Sequence, residues 1–261
     1  MGIKQQQVDT AFKLRHENKL NKDLNRIYNI IIDNAVDNYS QTNKYKNLDE
    51  YNHLISSVMY TNWIEIRNRF IKVINNMMVN TNTYNQLNNI ADNSFSYINI
   101  KDLLQEIRNN SIKENTINMN NTVTQSVSSI SRTNNKQIAA YSSLGLSVAE
   151  FKNKISDIYK NRIPTISTTF VQSASEKTKS DYTNSINNKL KENNNRQDLT
   201  KSWAAVLDDN TREAHVIADG QTISIVDYYM VDGEFLYEPG DTRFSSIGNT
   251  INCRCSSLIN F

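Results

Sequence analysis

The chain is poor in the residues that staple, break or turn a backbone. Its 261 residues include two cysteines, two prolines, six glycines, two tryptophans and three histidines. Cys253 and Cys255 stand one residue apart and form no disulfide framework, so a fold held by packing in a reducing compartment is expected. Long apolar runs are missing too. The opening MGIKQQQVDTAFKLRHENKL lacks the apolar core of a signal peptide, and the longest apolar run near it is Ile30-Ile31-Ile32, so neither secretion nor a membrane span is expected. Gln6 stands where a myristoylation signal wants serine or threonine. His16 and His53 lie in helical stretches with no cysteine or carboxylate pattern around them, and no role is assigned to either.

What is present is unevenly spread. Both cysteines, one tryptophan, one proline and four of the six glycines lie in the last fifth, from Lys201 to Phe261. The formal net charge of +2 hides an asymmetry: from Arg196 onward there are five basic and ten acidic residues, leaving 24 basic against 17 acidic before it. Such a split marks either a solvated helix surface or a basic face that meets DNA or an acidic protein. A hydrophobic content of 38% permits a core, though a lean one for this length.

Residues 1–140 read as an extended helical region. Leu24, Ile27, Tyr28, Ile31 and Ala35 recur at three and four residues, one apolar stripe on a helix. Asn47 with Glu50 resembles a capping box, and Tyr51, Leu54, Val58, Trp63, Ile66, Phe70, Val73 and Met77 follow at similar spacing. They predict a long second helix antiparallel to the first. A third helix is predicted over Tyr97 to Ile107. Asn109 to Lys136 shows no clear period and suits either a polar helix laid on a partner or a flexible connector.

Residues 141–200 read as a helical connector. Ser147 and Glu150 form a second capping box after Gly145, opening a helix that should falter before Pro164. Thr165 to Leu190 reads as one more polar helix, and Lys191 to Arg196 as the joint to the last domain.

The grammar changes after Lys201. Trp203 to Leu207 is a short apolar run, ended by Asp208-Asp209, which are placed to cap a helical turn from Thr211 to Ile217. After Asp219-Gly220 a strand is predicted over Gln221 to Val226. Tyr228 to Val231 and Glu234 to Tyr237, joined by Asp232-Gly233, give the strongest hairpin signal in the chain. Pro239-Gly240-Asp241 turns again, and Thr250 to Leu258 is the expected closing strand, with Cys253 and Cys255 on one face and Arg254 on the other. The predicted class is α+β: a long helical region, then a small domain, residues 201–261, of four or five short strands and one helix.

The order Trp203, Asp208, Arg212, His215, Asp219-Gly220-Gln221, Tyr237-Glu238-Pro239-Gly240-Asp241 and Asn252-Cys253-Arg254-Cys255 resembles the Mu F-like minor head proteins of tailed bacteriophages, the phage head morphogenesis domain. The likeness extends more weakly to Ile166-Ser167-Thr168-Thr169-Phe170, and residues 1–140 match only in being helical. Asn210 departs from an arginine common in the family. The resemblance implies a low-copy, non-enzymatic component of the procapsid interior near the portal vertex, assembled in the host cytoplasm. Its implied partners are the portal protein, other copies of itself, and scaffolding or major capsid protein, with a role in head assembly, DNA packaging or ejection. DNA contact through the basic helices is a further expectation, and no membrane partner or cofactor is expected.

Two other chemistries fit the same residues. Cys253, Cys255 and His215 supply three zinc ligands if the last strand packs beside the helix, with Asp219 or water as the fourth. An arginine at 212 is a poor neighbour for zinc, so two buried thiols without metal are expected instead. His215 as general base with Arg212 stabilising an anion would make a small nuclease, but no second base or nucleophile accompanies them. An ion pair of Arg212 with Asp208 or Asp209 is the expected arrangement.

Overall fold

The computed structural model describes residues 2–44, 47–93, 99–193, 199–243 and 245–261. Five α-helices come first: α1 (Gly2–Thr42), α2 (Asn52–Met78), α3 (Asn82–Asp92), α4 (Ile100–Ser142) and α5 (Val148–Glu192). There follow β1 (Thr200–Ala204), α6 (Glu213–Ile217), β2 (Thr222–Ser224), β3 (Tyr229–Val231), β4 (Glu234–Leu236), the single turn α7 (Ile247–Thr250) and β5 (Ser256–Asn260). This is the predicted α+β order. No helix among the described residues is long and apolar enough to cross a membrane.

The helices α1, α2, α4 and α5 form an up-down-up-down bundle with α5 at its centre. Tyr28 stacks on Tyr159 and Tyr39 on Phe151, at 4.2 and 4.0 Å between ring centres, which sets α1 antiparallel to α5. Trp63 meets Phe170 edge to face, and Tyr182 donates to Asn75, so α2 runs parallel to α5. Phe12 against Phe70 and Asn62 against Asp23 set α2 antiparallel to α1, as its stripe predicts. The segment expected to be a connector is therefore the axis around which the other helices pack.

Several helix ends differ from the sequence reading. Asn47 does not form a capping box with Glu50. It accepts the Asp49 N–H at 2.8 Å, and a 3-10 turn over Asp49–Tyr51 leads into α2. The capping box of Ser147 and Glu150 is present in full. Pro164 neither ends nor interrupts α5: it lies on an exposed face, where the Lys160 carbonyl that loses its N–H donor is open to solvent, and tertiary packing on both sides carries the helix through.

The aperiodic tract from Asn109 to Lys136 is the middle of α4. Its inward positions are Ser111, Asn115, Met119, Val123, Val127, Ile130, Ser131 and Asn134, so polar residues occupy core-facing steps of a regular stripe. Each of these four polar side chains has a partner: Ser111 donates to the Arg108 carbonyl, Asn115 accepts the Trp63 indole N–H at 2.9 Å and donates to Asp181, Ser131 donates to Asp49, and Asn134 accepts from Arg162. The partner surface that this helix needs is supplied within the chain. Of the third predicted helix, Tyr97 and Ile98 lie outside the described residues, as do residues 194–196 of the predicted joint.

The C-terminal unit sits on the side of the bundle. A three-stranded antiparallel sheet has the order β2-β1-β5, with Trp203 opposite Ser257, and a hairpin pairs β3 with β4. Asp232 and Gly233 both adopt positive φ, +51° and +74°, the tight hairpin turn that the Asp-Gly pair predicts. The closing strand begins later than expected, at Ser256. Thr250 ends α7, and Asn252, at φ +53°, bends the chain into an extended lead-in that carries the cysteines.

Candidate functional site

Between Phe170 and Ser180 every residue of α5 is buried, although most are polar. One face meets α1, α2 and α4; the other receives the C-terminal unit. Gln172 donates to the carbonyls of Cys255 (2.7 Å) and Pro239 (3.2 Å), and Glu176 accepts the Ser257 N–H at 3.0 Å. From α1, Lys13 reaches Glu176, the Cys255 carbonyl and the Ser256 hydroxyl, while Gln6 donates to the Ala205 carbonyl.

The charges along this seam are paired. Lys179 lies 2.7 Å from Asp9 and 2.9 Å from Glu176. Burial alone would push the Glu176 carboxyl up, but Lys13 and Lys179 hold it below the usual carboxylate value. Against the burial that would depress it, Asp9 and Glu176 keep the Lys179 ammonium above its usual value. Farther along, Glu238 takes Lys177, Ser180 and Arg243, and Asp241 takes Arg243 twice.

At the outer edge of the seam, three soft ligands converge. His215 on α6 and Cys253 and Cys255 in the lead-in to β5 are all buried, and their ligand atoms lie within 4.8 Å of one another. His215 Nδ1 is 3.4 Å from Cys255 Sγ and 3.8 Å from Cys253 Sγ. Its imidazole meets Trp203 edge to face at 5.5 Å between centres. The hydrogen bond between the two sulfurs pulls the Cys253 thiol below its usual value and, together with burial, pushes Cys255 above it. The alternation expected from the sequence is kept, with both thiols inward and Arg254 outward. A space of about 10 Å³ beside the cluster is lined by Asn210, Thr211, Arg212 and Asn252, among others.

The remaining motif residues are tied into intrachain contacts. Asp208 does not cap α6, whose cap position is Arg212 and has no side-chain capping bond. Asp208 instead accepts from the Asn210 N–H and the Thr211 hydroxyl and pairs with Arg254 at 2.7 Å. Arg212 therefore does not pair with Asp208: its guanidinium donates to the Ile251 carbonyl at 2.6 Å, across to the turn after α7. Sequence spacing within one helical turn suggested the wrong partner because the loop before α6 turns Asp208 toward Arg254. Asp219 accepts the Ala205 N–H at 2.8 Å, and Gly220, at φ +77°, donates to the Trp203 carbonyl. Pro239 and Gly240 press on Gln172, and the Asn252 N–H donates to Thr169 of α5, within the segment of weaker family likeness.

Comparison of the chain with protein-family models, curated proteins and solved structures returns no match.

The buried seam of Asp9, Lys13, Glu176, Lys177, Lys179 and Glu238 was not anticipated from the sequence. Its one legible sign is that the polar stretch from Gln172 to Ser180 has no apolar face of its own, yet lies in a helix. His16, to which no role was assigned, is a core residue. Burial brings its pKa down to about 4, so it is neutral where it packs on Phe12.

Proposed function

We propose that the chain is a structural minor head protein of a tailed bacteriophage, acting by binding rather than by catalysis. The portal protein is its principal partner, followed by other copies of itself and scaffolding or major capsid protein. One observation carries this reading. The residues by which the chain resembles that family are used up in building the C-terminal unit and clamping it to α5. A motif spent on a fixed shape suits a module that positions other surfaces. The nuclease alternative loses support on the same ground, since His215 is only 2% exposed and Arg212 is bound to a backbone carbonyl.

A second observation favours DNA contact by the helical region. A groove of about 410 Å³ between α2 and α4 is lined by Lys72, Lys101, Arg108, Asn68, Asn75 and Gln105, with no carboxylate in its lining. Burial, and then the like charge of Arg108, hold the neighbouring Arg67 guanidinium below its usual pKa. The Nε atoms of both arginines are buried without a hydrogen-bond partner. Among the described residues none of these cations has an ion pair, and such cations beside amide donors suit a phosphate backbone.

The test is the fate of the chain in infected cells. Tagged protein should copurify with the portal oligomer and with procapsids. Recovery only as free protein, or hydrolysis of RNA or DNA that disappears in His215→Ala with the fold intact, would overturn the assignment.

A further inference from the structure

The two nitrogen–sulfur distances around His215 are those that a tetrahedral metal would set. Zinc bonds of about 2.3 Å to sulfur and about 2.0–2.1 Å to nitrogen place N and S about 3.5 Å apart and two sulfurs about 3.8 Å apart. Nδ1 lies at 3.4 and 3.8 Å from the two sulfurs, and all three atoms fall within 4.8 Å. Backbone contacts outside the cluster fix this spacing. Cys255 is held through its carbonyl by Gln172 and Lys13, Asn252 by Thr169, and α6 by the contact of Arg212 with Ile251.

We propose that His215 Nδ1, Cys253 Sγ and Cys255 Sγ bind one zinc ion, with a water molecule as the fourth ligand. Two thiolates and a neutral imidazole balance the charge of Zn²⁺, so the buried site is neutral overall. That neutrality removes the objection raised by a nearby arginine, and the cations at its rim are engaged elsewhere: Arg212 with the Ile251 carbonyl, Arg254 with Asp208. Asp219 is not the fourth ligand, because it is turned to the Ala205 N–H. The space of about 10 Å³ beside the cluster has room for about one water. The ion is therefore a staple joining α6 to the lead-in of β5, not a Lewis acid serving a substrate. Ligand binding displaces a proton from each thiol to solvent as the two Zn–S bonds form. This proposal does not depend on the phage assignment.

The experiment uses the full chain, purified without chelator and also stripped and reconstituted. Elemental analysis should find about one zinc per chain. Cobalt added to the stripped protein should give the ligand-field bands of a tetrahedral site together with thiolate-to-cobalt charge transfer. Stripping should lower the thermal midpoint and zinc should restore it. Cys253→Ser with Cys255→Ser should abolish binding, whereas Lys152→Ala, on the exposed surface where it pairs with Asp33, should retain it. Should the double variant fail to fold, the cobalt spectrum of the unsubstituted chain decides alone. No stoichiometric uptake, uptake without thiolate charge transfer, or unchanged uptake in a folded double variant would each overturn the proposal.

Discussion

Glu176, inside α5, accepts the backbone N–H of Ser257 in β5 at 3.0 Å while bonded to Lys13 of α1 at 2.7 Å, so one carboxylate ties two helices to the sheet. Removing its charge leaves buried Lys13 without a carboxylate partner and Lys179 with Asp9 alone. Glu176→Gln should destabilise the protein by about 3–5 kcal/mol near neutral pH, the usual cost of breaking a buried pair from one side. Its folded pKa is depressed, so its contribution is present above the ordinary carboxylate value and lost as pH falls through the folded one. Urea denaturation of both proteins should show the gap narrowing in acid. An equal gap at every pH would mean that shape, not charge, matters at this position.

Asp181 has the opposite sign. Burial raises its pKa to about 6, although Asn115 and Asn118 donate to it, and the nearby charges are Glu238, which raises it further, and Lys177, which lowers it. A carboxyl whose folded pKa is raised costs stability above that value, and the cost disappears as pH falls through it. Asp181→Asn should therefore stabilise the protein by about 1–2 kcal/mol well above pH 6, with the gain shrinking as pH approaches the ordinary aspartate value. Denaturation midpoints across that range test this. A variant that is less stable throughout would show that the two asparagine bonds outweigh the buried charge.

How much of this was legible differs from element to element. The apolar stripe of α1, the box at Ser147 and the Asp232-Gly233 hairpin are local signals that the structure carries, whereas the α2 stripe is kept only at Trp63, Ile66 and Phe70, with Ile55, Met59, Ile74 and Met78 buried in place of Leu54, Val58, Val73 and Met77. Residues 109–136 hid their helix because Asn115, Ser131 and Asn134 point inward, which no hydrophobic period registers. Pro164 misled for a related reason, since a long packed interface outweighs one missing bond. At the candidate site, residue types alone brought His215, Cys253 and Cys255 under suspicion. The partners of Arg212, Asp208 and Asp219 depend on loop geometry that sequence spacing does not encode.

Gly240 offers a sharper stability test than Gly233. Both have positive φ, +83° and +74°, so a side chain at either is strained. A Cβ at Gly233 would meet open space, while one at Gly240 would lie 3.0 Å from Cγ of Gln172, the residue that clamps Pro239 and Cys255 to α5. Gly233→Ala should cost about 1 kcal/mol and Gly240→Ala about 2 kcal/mol or more. Chemical denaturation of the two variants side by side checks the order, and equal costs would show that Gln172 moves aside freely.

The groove between α2 and α4 makes the DNA reading quantitative. Lys72 and Lys101 are exposed on its rim and Arg108 is half buried beside Arg67, so the two lysines can be changed without opening the core. If phosphates lie along this groove, affinity for duplex DNA should fall steeply with salt, because each neutralised phosphate releases condensed counterions. Lys72→Ala and Lys101→Ala should each weaken binding about equally on unrelated sequences and reduce the salt slope by about 1. Lys152, on the opposite side of the bundle where it pairs with Asp33, serves as the control. Lys152→Ala should leave the slope unchanged. A slope insensitive to Lys72 and Lys101, or equally sensitive to Lys152, would return the positive balance of the helical region to the ordinary role of keeping a surface solvated.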